Sequence, residues 1–309
     1  MAKLSALGYL GIAKETTFGT AVAPTMYIPY DSIKNEDEIK KAVDEGRRGV
    51  LSKDFAVYNT TRHSKIDIDT LAYPDTLGYF LKGILGKDTV TGAANPYTHK
   101  FQVLDSNCDS YTLSDYNVVA GAQERRYPGA IIDEVDLKFD DDGMMKVSAK
   151  YQSKISALTT KSTPTQNVIK PFQGWMASLT LGGVSNVNML GGDLSIKRAN
   201  QLIYAGNNSQ DPTKYVTGRI EIHGKLTFDV DSEAEWLLYS NGTQQSIQIQ
   251  FTIDANNSLT ILLSKTDITK ATIDRSNEFV RVDMDFKALY NATDAGLCQI
   301  TLVNAVASY

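Results

Sequence analysis

The 309-residue sequence is short of most residues that carry out covalent or acid–base chemistry. It has two cysteines, Cys108 and Cys298, and three histidines, His63, His99 and His223. Cysteines this far apart exclude a disulfide framework and suit a reducing compartment, with a single bridge left open. Neither has a Cys or His neighbour at zinc-ligand spacing. The G-x-S-x-G elbow and the G-x-G-x-x-G fingerprint are absent. The segment Gly83-Ile84-Leu85-Gly86-Lys87-Asp88-Thr89 lacks the glycine spacing of a phosphate loop, and no Ser or Thr follows its lysine. The carboxylates of Asp140-Asp141-Asp142 are consecutive where an EF-hand needs them alternating. No catalytic, cofactor-binding or metal site is expected, and the expected class is not an enzyme.

Surplus positive charge is missing too. Thirty-one basic residues face 36 acidic ones, a net charge of −5. Divided at residue 160, the counts are 19 against 22 and then 12 against 14. Neither half is a basic module, which argues against a nucleic-acid-binding surface. No apolar run approaches eighteen residues, and Lys14 and Glu15 interrupt the first apolar stretch before any cleavage site. Neither a membrane span nor a signal peptide is expected. With 42% hydrophobic and 22% charged residues, the chain has the composition of a folded protein.

What is present is alternation. Residues 65–69, 135–139, 145–151, 246–253 and 280–286 each place apolar and polar side chains on opposite faces, the period of a half-buried strand. Asp142-Gly143 marks a turn between two of them. Helical periodicity is scarce. Pro74 to Gly86 opens with proline and acid, closes on glycine, and carries Leu77, Phe80, Leu81, Ile84 and Leu85 on one stripe. Ser232 to Tyr239 is a second, shorter helix, with Asp231 or Ser232 as its cap and Gly242 closing it.

The chain also resembles itself. At an offset of 160, Gly46 falls on Gly206, His63 on His223, Lys65 on Lys225, Asp69 on Asp229, Leu77 on Leu237 and Tyr79 on Tyr239. At an offset of 135, Val147, Ala149 and Tyr151 fall on Val282, Met284 and Phe286. Both halves run from a long loop through a strand and a helix to an alternating hairpin. A duplication is expected, with domains 1–160 and 161–309 joined in the polar, Thr-rich stretch 156–166. A base duplicated in both halves is a poor catalyst candidate, so His63 and His223 are expected to be structural.

Each half also carries a long polar arm beside its strand, and long polar loops are functional or mobile. The docking candidates on the first are Asp44, Glu45, Arg47, Arg48, Lys53 and Asp54. On the second they are Asn207, Asn208, Asp211 and Lys214.

The opening stretch, Gly8-Tyr9-Leu10-Gly11-Ile12-Ala13-Lys14-Glu15-Thr16-Thr17-Phe18-Gly19-Thr20-Ala21-Val22-Ala23-Pro24, running on to Pro29, resembles that of phage tail tube proteins, the major tail proteins of long-tailed bacteriophages. Gly46-Arg47-Arg48-Gly49 and Arg126-Tyr127-Pro128-Gly129-Ala130 follow in the order of that family. The resemblance implies two tandem β-sandwich domains, each flanked by a helix, whose sheets join those of neighbouring copies in a continuous barrel. It implies stacked rings of three chains with pseudo-sixfold symmetry, forming a tube through which phage DNA passes without specific binding. The partners it implies are further copies of the chain, a tape measure protein, a tail terminator and a baseplate. The place it implies is the virion tail, after synthesis in the host bacterial cytoplasm. The competing reading is a non-catalytic β-sandwich that binds carbohydrate or a receptor, for which Trp175 and Trp236 are the available tryptophans.

Overall fold

The fold is described from a computed structural model, which covers residues 4–165, 169–229, 234–275, 278, 280–292, 294 and 296–309. Each alternating segment is a strand whose apolar positions are buried and whose polar positions are not. The first half contains β1 (Tyr9–Lys14), β2 (Met26–Ile28), β3 (Ser32–Asp44), β4 (Ala56–Leu71), helix α1 (Leu77–Leu85), β5 (Gly86–Thr91), β6 (Tyr97–Val103), β7 (Tyr111–Tyr116), β8 (Gln123–Asp140), β9 (Lys146–Ser153) and β10 (Ala157–Thr160). The second contains β11 (Ala177–Leu181), β12 (Val184–Asn186), β13 (Met189–Arg198), β14 (Gln201–Ile203), β15 (Lys214–Val216), β16 (Ile220–Asp229), helix α2 (Ala234–Ser240), β17 (Gln245–Asp254), β18 (Asn257–Asp274), β19 (Arg281–Ala288) and β20 (Gln299–Asn304). Strand outweighs helix, 57% to 7%, and the sheets are antiparallel, so the mainly β expectation holds. The proposed caps of the second helix, Asp231 and Ser232, lie outside the described residues.

Strand β8 is long enough to serve two layers. Its first part pairs with β7 and β10, in the group β2-β1-β7-β8-β10. Its second part pairs with β9 and β13, in the group β3-β4-β9-β8-β13. Strand β18 does the same in the second half, pairing first with β17 and β20 and then with β19. The groups β12-β11-β17-β18-β20 and β13-β16-β19-β18 therefore repeat the pairing order of the first half. The hairpin β5-β6 has no counterpart in the second half among the described residues; β6 instead pairs with β20.

The registers repeat as well. The β7·β8 ladder shifts between Tyr111 and Leu113, and β17·β18 shifts between Gln245 and Ile247. The β8·β9 ladder shifts between Ile132 and Glu134, and β18·β19 shifts between Ile268 and Lys270. The β3·β4 ladder shifts between Ile39 and Lys41; its counterpart shifts between the Arg198–Ile220 and Gln201–Val216 pairs. These shared irregularities keep β9 and β19 at the expected offset of 135 but place β4 and β16 at 158. Ile66, opposite Tyr151, then corresponds to Gly224, opposite Phe286. His63 corresponds to Glu221, and His223 to Lys65. The aligned helix residues also differ, since Leu77 begins α1 whereas Leu237 is mid-way along α2.

One apolar core spans both halves, including Ile66, Ile68, Val135, Leu137, Leu194, Ile196, Leu226 and Met284. Helix α1 is buried on all but Lys82, and Gly86, at φ +90°, ends it with its N–H donating to the Lys82 carbonyl. Gly78 lies so close to the Tyr309 ring that a Cβ would sit 2.0 Å from it. In α2 the Trp236 side chain packs on the core, whereas Leu237 and Tyr239 are exposed.

The opening motif has a structural reason. The buried Glu15 carboxylate accepts N–H bonds from Gly19 (2.8 Å) and Gly129 (2.7 Å), and hydroxyl bonds from Ser110 (2.8 Å) and Thr112 (2.7 Å). Four donors on one carboxylate tie the loop after β1 to the turn within β8.

Candidate assembly interface

Most charged positions of β3, β4, β9, β8, β13, β16, β19 and β18 face away from the core, with exceptions such as the buried Arg198, and period-two geometry brings them into cross-strand rows. One row reads Lys34, Asp67, Lys150, Glu134, Lys197, Glu221, alternating in sign across six strands. Glu134 sits 2.7 Å from both Lys150 and Lys197. Two neighbouring lysines hold its carboxyl below the usual range, although burial alone would raise it. A second row reads Lys138, Asp193, Lys225, Asp285, Lys270. A third, shorter one reads Asp229, Arg281, Asp274. The face is a checkerboard, and cations in these rows have carboxylate neighbours.

The sheet carrying this face has two open borders. Among the described residues β3 pairs with β4 alone, and residues 267–274 of β18 pair with β19 alone. An unpaired strand edge is a row of unsatisfied N–H and C=O groups that invites another chain.

The two arms lie beside this sheet. In the first, Arg48 reaches Asp44 at 2.5 Å and lies 4.4 Å over the Phe55 ring, while Lys53 is 3.2 Å from Glu45. The bonds from Arg48 and the Gly46 N–H hold the Asp44 carboxyl below its ordinary pKa. Arg47 and Asp54 are exposed, as are Val50 and Leu51 at the tip. The second arm is docked on the first half of its own chain. Asp211 accepts two bonds from the Arg62 guanidinium, at 2.6 and 3.3 Å. The Arg62 N–H donates to the Gln210 carbonyl (3.0 Å), and the Gln210 amide donates to the Asn59 carbonyl (3.0 Å). Asn207 and Asn208 stand exposed at its turn, where Asn208 adopts φ +61°, and Lys214 lies in β15 opposite Ile203. Arg62, which sequence reasoning passed over, is thus the residue that holds Asp211; a lone arginine in an alternating strand gives no signal of its distant partner.

Two of the three histidines, His99 and His63, are built into the fold. His99 is fully buried between Asp88 (3.1 Å) and the Val306 carbonyl (2.7 Å). His63 lies between Glu38 (3.2 Å) and the Tyr204 hydroxyl (3.3 Å), and burial holds its pKa below the ordinary imidazole value. Among the described residues no group of three or more His, Cys, Asp or Glu side chains could hold a metal ion, and no helix is long and apolar enough to cross a membrane.

A family model described as Phage tail tube protein matches residues 5–288, and the chain belongs to that family. Membership gives it a structural role in the phage tail tube, in which copies assemble, and a place in the virion tail. No curated protein matches the chain.

Proposed function

We propose that the chain is a duplicated tail tube subunit with domains 1–160 and 161–309. Three copies close head to tail into a pseudo-sixfold ring, and stacked rings form the conduit for genome ejection. The observation that carries this reading is the repeated pairing order, with one β8·β13 seam inside the chain and two open borders, β3 and β18, at its ends. A ring is the closed arrangement in which every such border finds a partner. The checkerboard face suits a lumen: phosphates sliding past find lysines already beside carboxylates, so little electrostatic retention develops.

The arm residues Asp44, Glu45, Arg47, Arg48, Lys53 and Asp54 contact the neighbouring subunit or ring in this reading, and so do Asn207, Asn208, Lys214 and Asp211, the last while paired with Arg62 of its own chain. The tape measure protein, tail terminator and baseplate are its partners at the ends and along the inside. A carbohydrate-binding role has little to stand on, since Trp175 is exposed but Trp236 packs on the core. Negative-stain microscopy of the purified protein tests the reading: rings and tubes support it, and isolated particles at every concentration, even with an assembly initiator, refute it.

A further inference from the structure

The seam inside the chain is a template for a seam between copies. Within the chain, β8 pairs antiparallel with β13, setting Glu134 opposite Lys197 and Lys138 opposite Asp193. Strand order and the shared register shifts make β18 the counterpart of β8, and β3 the counterpart of β13. Among the described residues both counterparts lack the neighbour that their equivalents have. Leu137, flanked by β13, is 0% exposed; its counterpart on β18, Ile273, is 38% exposed.

We infer that β18 of one copy pairs antiparallel with β3 of the next, with Lys270 opposite Glu38, Thr272 opposite Glu36 and Asp274 opposite Lys34. The inference rests on the ring reading above and adds the borders, the register and the contacts. Charge supports it independently of the strand equivalence. The two oppositely charged pairs of the internal seam reappear at the same places with their signs exchanged: Glu134–Lys197 becomes Lys270–Glu38, and Lys138–Asp193 becomes Asp274–Lys34. The short row Asp229, Arg281, Asp274 then runs on into Lys34, Asp67, Lys150, Glu134, Lys197, Glu221 of the next copy without a break in alternation. A two-residue slip, which the 160-residue sequence alignment would give, sets Asp274 opposite Glu36 and Lys270 opposite Lys40. Like charges directly opposite one another oppose pairing. A one-residue slip turns the apolar positions to the wrong face.

Disulfide trapping tests the register. Directly opposite residues have Cα atoms about 4.5–5.5 Å apart, within disulfide reach, whereas a two-residue slip separates them by roughly 8 Å, beyond it. The native cysteines, Cys108 and Cys298, are buried and stay out of the reaction. The full chain carrying T272C and E36C, assembled and then oxidised, is expected to give covalent multimers on a non-reducing gel, at least tenfold above the T272C/E38C chain. Rings or tubes that link through T272C/E38C, or through neither pair, overturn the register and leave the ring reading standing. Chains that stay monomeric in both variants and in the wild type overturn the ring reading and this inference together.

Discussion

The two arms come from the same place in their halves yet meet different surroundings. The second is fastened by Asp211, Gln210 and Tyr204 to β4 of the preceding half. The first is held by its own Asp44–Arg48 and Glu45–Lys53 pairs and carries exposed Val50 and Leu51 at its tip. The docked arm has its neighbour within the chain. The other projects from the half whose border strand is open, where the next copy would stand. Helix burial follows the same division: α1 lies against the second half, with Arg198 donating to the Ile84 carbonyl (2.8 Å), whereas α2 leaves Leu237 and Tyr239 uncovered. Features satisfied at the internal seam are unsatisfied at the outer borders.

Breaking the comparison at the free arm has the largest expected effect. Deleting residues 47–53 should leave a folded, soluble chain that no longer polymerises, and tubes of wild-type length in electron micrographs would remove the arm from assembly. Arg62→Ala attacks the docked arm instead. It should cost about 1–2 kcal/mol, the range for a part-exposed, charge-assisted contact, and raise hydrogen exchange in residues 204–213. Unchanged protection there would mean that the arm is held by something else.

The seam next to the docked arm should respond to pH. Burial pushes the Asp133 carboxyl up to about 6, although Gln152 and Asn200 donate to it. The folded chain therefore holds this proton more tightly than the unfolded one. Its contribution is complete below about pH 4 and is lost as pH rises through 6, by about 3 kcal/mol. Asp115, also pushed up to about 6 by burial, acts in the same direction. Between pH 5 and 7.5 the melting temperature should fall, and Asp133→Asn should flatten that slope; an equal slope in the variant would place the linkage elsewhere. The smallest effect is expected at Asp44→Asn, where an exposed i,i+4 pair is lost: no resolvable change in melting temperature, against the clear loss for Asp211→Ala.

Much of this was legible in the chain because half-buried strands write their burial as alternation. Residues 65–69 and 135–139 are such strands, and α1 was marked by its stripe and its closing glycine. Strand β7 was not legible, since every residue from Tyr111 to Tyr116 is buried and no period shows. Among the described residues the hairpin β5-β6 occurs in the first half alone, and this breaks the internal alignment, which therefore needs separate offsets before and after it. The two-residue error between β4 and β16 has a plainer cause. An even slip keeps every side chain on its own face, so matching apolar with apolar cannot detect it, whereas bulges and ladder partners can. The arms were legible as polar loops, but their difference was not, because Arg62 and Asp211 are 149 residues apart.

Native mass spectrometry of rings released from purified tubes tests the central claim most directly. Three chains of 33.9 kDa should give a particle of about 102 kDa with two open borders satisfied per chain. A ring of six chains, near 203 kDa, would contradict the account by showing that the two halves of one chain do not serve as successive members of a six-domain ring.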